Sequence, residues 1–117
     1  LIVEDDYANQ QVASLFIKKF GHVSEVAENG QIAVERALEK KFDLILMDCQ
    51  MPIMDGFLAS KLIREKEGPN KKTPIVALTA NMVAGVKKEC TDAGMDDLLN
   101  KPVNMKAMKQ IIEKWLV

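Results

Sequence analysis

The segment FDLILMDCQMPIMDG (residues 42–56) joins a buried strand to an acid. Its apolar run, Leu44-Ile45-Leu46-Met47, is continuous, not alternating, which marks a strand covered on both faces. The run ends on Asp48. A turn at Met51-Pro52 follows, with Met51 expected to pack beneath it, and Asp55-Gly56 opens a helical pattern with Leu58, Leu62 and Ile63 expected inward.

The same unit repeats in both directions. Leu1-Ile2-Val3 runs into Glu4-Asp5-Asp6, then a helix is expected over residues 7–20 with Ala8, Val12, Leu15, Phe16 and Phe20 on its inner stripe. Asp6 is its expected N-cap and Gly21 its stop. Residues 23–27 form a weaker strand, and Asn29-Gly30 caps a helix carrying Ile32, Ala33, Ala37 and Leu38. After a loop at residues 68–72, expected to be solvated, a fourth strand spans residues 74–78 and a helix continues to about Ala93, with Gly94 past its end. Leu98-Leu99 is a short fifth strand. A last helix from Asn104 carries Met105, Met108, Ile111, Ile112 and Trp115 on one stripe. Five β–α units of this kind predict a doubly wound parallel sheet in a single α/β domain.

With 117 residues the chain holds one core. Sixteen basic residues against seventeen acidic ones leave a net charge of −1, without the basic excess of a nucleic-acid surface. No apolar stretch reaches the ~20 residues of a membrane span. Cys49 and Cys90 make no disulfide framework and read as reduced, buried thiols in a cytoplasmic protein. His22 is the only histidine, so no His triad or His-rich zinc site is available, and a place in an exposed turn is expected for it. The first residue already lies in an apolar run, so excision from a longer chain is expected.

The strand ends carry the chemistry. The first ends in Glu4-Asp5-Asp6, the third in Asp48, the fourth in Thr79-Ala80, the fifth in Asn100-Lys101-Pro102. Ligands bind at the carboxyl ends of such strands. If strands one and three are neighbours, Glu4, Asp5 and Asp48 crowd together, and such a cluster must take up protons or hold a cation. Lys101 supplies one positive charge, too few for all three. A hydrated site of hard oxygens favours Mg2+, with Mn2+ as its substitute. Asp48 then reads as a carboxylate nucleophile of the kind that forms an aspartyl-phosphate, Lys101 as a neutraliser of the transferring group, and Thr79 as a hydroxyl donor to its oxygens.

VEDD (residues 3–6), MDCQMPIMDG (47–56), LTA (78–80) and NKP (100–102), in this order and each at a strand end, resemble the signatures of response-regulator receiver domains. The resemblance covers essentially residues 1–117. It implies a flavodoxin-like fold of five parallel strands ordered 2-1-3-4-5 with five helices. It also implies Asp48 as phosphoacceptor, Thr79 as switch hydroxyl, Lys101 as the invariant lysine and a cis Lys101–Pro102 bond. The metal would be held by Asp5, Asp48 and the Gln50 main-chain oxygen, with Glu4 reaching it through water. Output would draw Thr79 inward and repack the face around Leu98. MDCQMPIMDG, ALTAN and GMDDLLNKPV are most similar to receivers of hybrid sensor histidine kinases. The implied partner is a histidine kinase or a histidine phosphotransfer protein, without direct nucleic-acid or membrane contact by this domain, although the parent chain is open to membrane anchoring.

Three positions depart from or vary within that pattern. Leu98 stands where the family often has Tyr or Phe, so an aromatic switch side chain is missing. Gln50 and Asn81 occupy the variable positions flanking the phosphoryl site as neutral amides. Other receiver architectures, stand-alone or joined to a transcription-factor domain, remain alternatives to the hybrid kinase. A haloacid-dehalogenase-type phosphatase would need an acid where Gln50 stands, and a flavin-phosphate site would not begin with Glu4-Asp5-Asp6.

Overall fold

The apolar runs become strands, and the runs ending at Met47 and Leu78 each carry one residue further than expected. The computed structural model describes residues 1–80 and 85–116. Along it β1 (Ile2–Val3), α1 (Tyr7–Lys19), β2 (Val26–Ala27), α2 (Gly30–Glu39), β3 (Ile45–Asp48), α3 (Gly56–Glu65), β4 (Ile75–Thr79), α4 (Val86–Asp92), β5 (Asp97–Asn100) and α5 (Met105–Trp115) follow in turn. All strand pairs are parallel, in the order β2-β1-β3-β4-β5. Asp48 and Thr79 are therefore the last residues of their strands, not the first beyond them.

Side-chain alternation divides the core between the two sheet faces. Ile2, Leu44, Leu46, Val76, Leu78 and Leu99 pack with α1 and α5. Val3, Ile45, Met47, Ile75 and Ala77 pack with α2, α3 and Cys90 of α4. Side-chain caps fix four helix starts, with Asp6, Asn29, Asp55 and Asn104 accepting from the backbone amides of Ala8, Ile32, Leu58 and Ala107. Gly21 and Gly94 leave α1 and α4 at φ +87° and +88°.

Several inward assignments are corrected. In α1 the buried residues are Gln10, Ala13 and Ile17, with Phe16 and Phe20 alongside, while Val12 and Leu15 face out at 41% and 64% exposure. Apolar residues cover more than half of this helix, so the period fits two stripes. The small Ala13 decides between them by letting the helix approach the sheet. Leu58, Leu38 and Met105 are likewise exposed, because Ala59, Ala37 and Met108 hold the inner positions. Residues 23–25 do not join β2, and Val23 is fully exposed.

The loop at residues 68–72 is not wholly solvated. Asn70 is buried, donates to the carbonyls of Ala37 and Lys40, and accepts from the Phe42 amide. His22 is half-buried, not exposed. Trp115 packs on the α5 side of the core, and its indole N–H donates to Asp97 at 3.0 Å, tying α5 to β5. Leu98 is half-buried against the opposite face.

Candidate functional site

Strand register brings the acids together. Ile2 pairs with Leu46 and Val3 with Met47. One step further along both strands lie Glu4 and Asp48, on the same sheet face. One carboxylate oxygen each from Glu4, Asp5 and Asp48 falls within a 4.8 Å group. Glu4 and Asp48 are each 2% exposed, whereas Asp5 faces solvent. Asp6 stays outside the group as the α1 cap.

Lys101 closes the site from β5. Its Nζ lies 3.0 Å from Asp48 Oδ2 and 3.1 Å from Glu4 Oε2. Its backbone amide donates to the Thr79 carbonyl at 2.8 Å, which fixes the residue against the end of β4. The Lys101–Pro102 peptide is cis, as the resemblance implies. Thr79 is buried at 6% exposure at the tip of β4. The Gln50 amide donates to Asp48 Oδ1 at 3.2 Å, so each oxygen of Asp48 has a donor, and the Gln50 side chain is exposed. Asn81 lies outside the described residues.

Charge is unbalanced here. Burial pushes the Glu4 carboxyl up to about 7, the Lys101 hydrogen bond opposes that shift, and the charge of Asp48 adds to it. For Lys101 burial acts downward, but hydrogen bonds to Asp48 and Glu4 outweigh it and hold the ammonium above its usual range. Three hard oxygen donors facing one ammonium suit a divalent cation, so the donor set fits Mg2+.

Folded Glu4 therefore binds a proton over a pH range where the unfolded residue has lost it. In the absence of metal, its contribution to stability is fully present below about pH 4.5 and is lost as pH rises through about 7. Urea midpoints of the metal-free protein are expected to fall across that window, and Glu4→Gln is expected to flatten the slope. A slope unchanged in Glu4→Gln would assign the titration to another group.

The turn after Asp48 carries strain. The Met54 amide donates to the Pro52 carbonyl at 2.8 Å around Ile53, whose φ is +72°. This is the rare γ-turn with a positive φ at its centre. A β-branched side chain is unfavourable there by ~1–2 kcal/mol, and Ile53, 76% exposed, recovers little by burial. Ile53→Gly is expected to raise stability by about 1 kcal/mol in urea denaturation, strain relief exceeding the added chain entropy. Net destabilisation would mean that the side chain packs on the loop. Met51, in the same turn, packs against the core as expected.

Two residues near the site escaped sequence reading. Gly56, read as the opening of a helix, also lies against the end of β3: a Cβ there would sit 2.1 Å from the Asp48 carbonyl oxygen. Gln10, buried in α1, donates to the Glu4 carbonyl at 2.7 Å. The DG pair was visible as a signal, but nothing in the α1 pattern marked Gln10.

Cys49 is buried in the same cluster as Cys90, and its thiol engages that of Cys90. Burial, reinforced by Cys90, pushes the Cys49 thiol up to about 12. Both cysteines are expected to resist Ellman's reagent in the native protein at about pH 8 and to react fully in denaturant. Rapid native reaction of one thiol would revive a redox role.

Comparison with known proteins agrees with this geometry. Residues 1–113 match the family model of the response regulator receiver domain. The chain belongs to the response regulator receiver family. Hybrid signal transduction histidine kinase A of Dictyostelium discoideum is 41% identical over an alignment of 118 positions that covers 98% of this chain and 6% of that protein. This receiver thus spans a small part of that relative's length. The receiver domain of a Pseudomonas aeruginosa PAO1 sensor histidine kinase, with magnesium coordinated in its active-site cleft, superposes at TM-score 0.90 with 36% identity. That match covers 98% of this chain and 93% of the other. The Saccharomyces cerevisiae Ssk1 receiver, co-crystallised with the histidine phosphotransfer protein Ypd1, superposes at TM-score 0.87 with 35% identity over 97% of this chain and 85% of that one. The domain is a two-component phosphorelay receiver homologous to those of hybrid histidine kinases. Among the described residues no helix is long and apolar enough to cross a membrane.

Proposed function

We propose that Asp48 accepts a phosphoryl group from a phosphohistidine, with Glu4, Asp5, Lys101 and Thr79 as its supporting groups. The carrying observation is the Lys101 ammonium held between the buried carboxylates of Asp48 and Glu4, with Asp5 beside them. In the transfer, an anionic Asp48 oxygen bonds to phosphorus, the P–N bond breaks, and its electron pair stays on the donor imidazole. No proton need leave Asp48. Lys101 stands where charge on the phosphoryl oxygens needs neutralising, and the Thr79 hydroxyl is the donor on the β4 side.

Asp5, Asp48 and the Gln50 main-chain oxygen would hold Mg2+ or Mn2+ directly, and Glu4 would do so through water. When bound, the cation offsets carboxylate repulsion and polarises the transferring group. The magnesium-bound relative supports this reading. The Ypd1 complex of the Ssk1 receiver supports a histidine phosphotransfer protein as partner, with a histidine kinase as the other donor. The near-neutral charge gives no support to nucleic-acid binding. Identity to the Dictyostelium kinase supports placing residues 1–117 as a receiver module within a hybrid histidine kinase, and a cytoplasmic location is proposed with that reading.

The test is transfer of labelled phosphate from a phosphorylated histidine phosphotransfer domain. Labelling is expected with Mg2+ and is expected to stop with EDTA. Transfer indifferent to EDTA would remove the cation from the mechanism.

A further inference from the structure

The acidic pair sits on a turn of backbone, and something must hold that turn in place. On one side the Glu4 amide donates to the Ala27 carbonyl of β2 at 3.1 Å. Within the turn, the Asp6 amide donates to Glu4 Oε1 at 3.2 Å. The Glu4 carbonyl, buried under α1, accepts the Gln10 side-chain amide at 2.7 Å. Gln10 is the one polar residue on the buried face of α1, whose other buried residues are Ala13 and Ile17. A glutamine here displaces apolar contact, so its hydrogen bond must compensate for its burial.

The Glu4 carbonyl and the Asp5 amide belong to one planar peptide unit. Fixing that carbonyl therefore fixes the plane from which Asp5 starts. Asp5 is itself exposed, with little packing to orient it. We propose that Gln10 is a positioning residue for the divalent-cation site, acting through the Glu4–Asp5 peptide and setting the affinity for Mg2+. It touches neither the cation nor the phosphoryl group. This inference rests on the proposed role of Glu4, Asp5 and Asp48 as cation ligands. It extends that role to a neutral residue one turn inside the adjacent helix.

The experiment measures Mg2+ affinity by isothermal titration calorimetry, because the only tryptophan, Trp115, lies on α5 beside Asp97 and away from the acids. Gln10→Met keeps the length of the side chain and removes its donor. Its Mg2+ Kd is expected to rise about ten-fold, the scale found for groups that orient metal ligands from outside. Phosphorylation by acetyl phosphate at saturating Mg2+ is expected to stay within about two-fold of wild type, separating affinity from chemistry. Trp115→Phe, which removes the indole hydrogen bond to Asp97 at the start of β5, the end away from Lys101, controls for general destabilisation and is expected to leave the Kd unchanged. If Gln10→Met does not fold, Gln10→Asn keeps an amide but withdraws it by one methylene, and a Kd raised about three-fold or more is expected. A wild-type Kd in the folded Gln10 variant, with only the melting temperature lowered, would overturn the proposal and leave the cation site standing. Absence of Mg2+ binding by the wild type would overturn both.

Discussion

Asp48→Asn is expected to abolish phosphoryl incorporation from acetyl phosphate and Mg2+, read as intact mass, by on the order of a thousand-fold or more. An amide oxygen lacks the charge and nucleophilicity of the carboxylate, while the shape of the side chain and the Gln50 hydrogen bond at Oδ1 persist. The same substitution is expected to stabilise the metal-free protein. Removing one member of a buried ion pair is harmful when a lone charge is left behind. Here Glu4 remains beside Lys101, so the pair stays balanced and one repulsive carboxylate is gone. The expected gain is on the order of 1 kcal/mol, or about 4 °C in Tm. Saturating Mg2+ is expected to reverse the order, because the wild type gains about 2.7 kcal/mol at a hundred-fold excess over Kd. Phosphate addition that survives the substitution would place the acceptor elsewhere. A lower metal-free Tm would mean that the Lys101–Asp48 attraction exceeds the repulsion.

Gly56→Ala is expected to be the most damaging single-methyl change in the site. The new Cβ would lie 2.1 Å from the Asp48 carbonyl oxygen and 2.9 Å from its carbonyl carbon and from Met47 Cγ. Backbone cannot rotate aside as a flexible side chain can, so α3 must lift or β3 must bend. Overpacking of this kind destabilises by about 3 kcal/mol, against a helix-propensity gain of at most about 1 kcal/mol. A net loss of about 2 kcal/mol or more in urea denaturation is expected, with slower phosphorylation because the strained peptide is that of Asp48, the proposed acceptor. The Gly56 amide also donates to the Cys49 carbonyl at 3.1 Å, so the displacement reaches both residues after Met47. A neutral Gly56→Ala would show that the first turn of α3 is free to move.

Much of the site was legible in the chain because strand ends are legible. A continuous apolar run that stops on a polar residue marks both the strand and its tip, so Asp48, Thr79 and Lys101 were found at the strand ends where the structure places them. Caps were legible for a similar reason, since Asp6, Asn29 and Asp55 each satisfy an amide only a few residues away. Helix faces were less legible. In α1 the period admitted two stripes, and the wrong one included Val12 and Leu15.

The sequence by itself determined the β–α alternation, the chemistry of the strand ends and an excess of carboxylate over ammonium there. These follow from local pattern and residue type. Tertiary structure decided which of those ends meet. Parallel pairing of β1 with β3, in a register that sets Ile2 beside Leu46, puts Glu4 against Asp48, and no local preference specifies that register. It also decided the close contacts, Gly56 on the Asp48 carbonyl and Gln10 on the Glu4 carbonyl. Each joins an early helix position to the backbone of a strand end, and such a contact exists only once helix and sheet have packed.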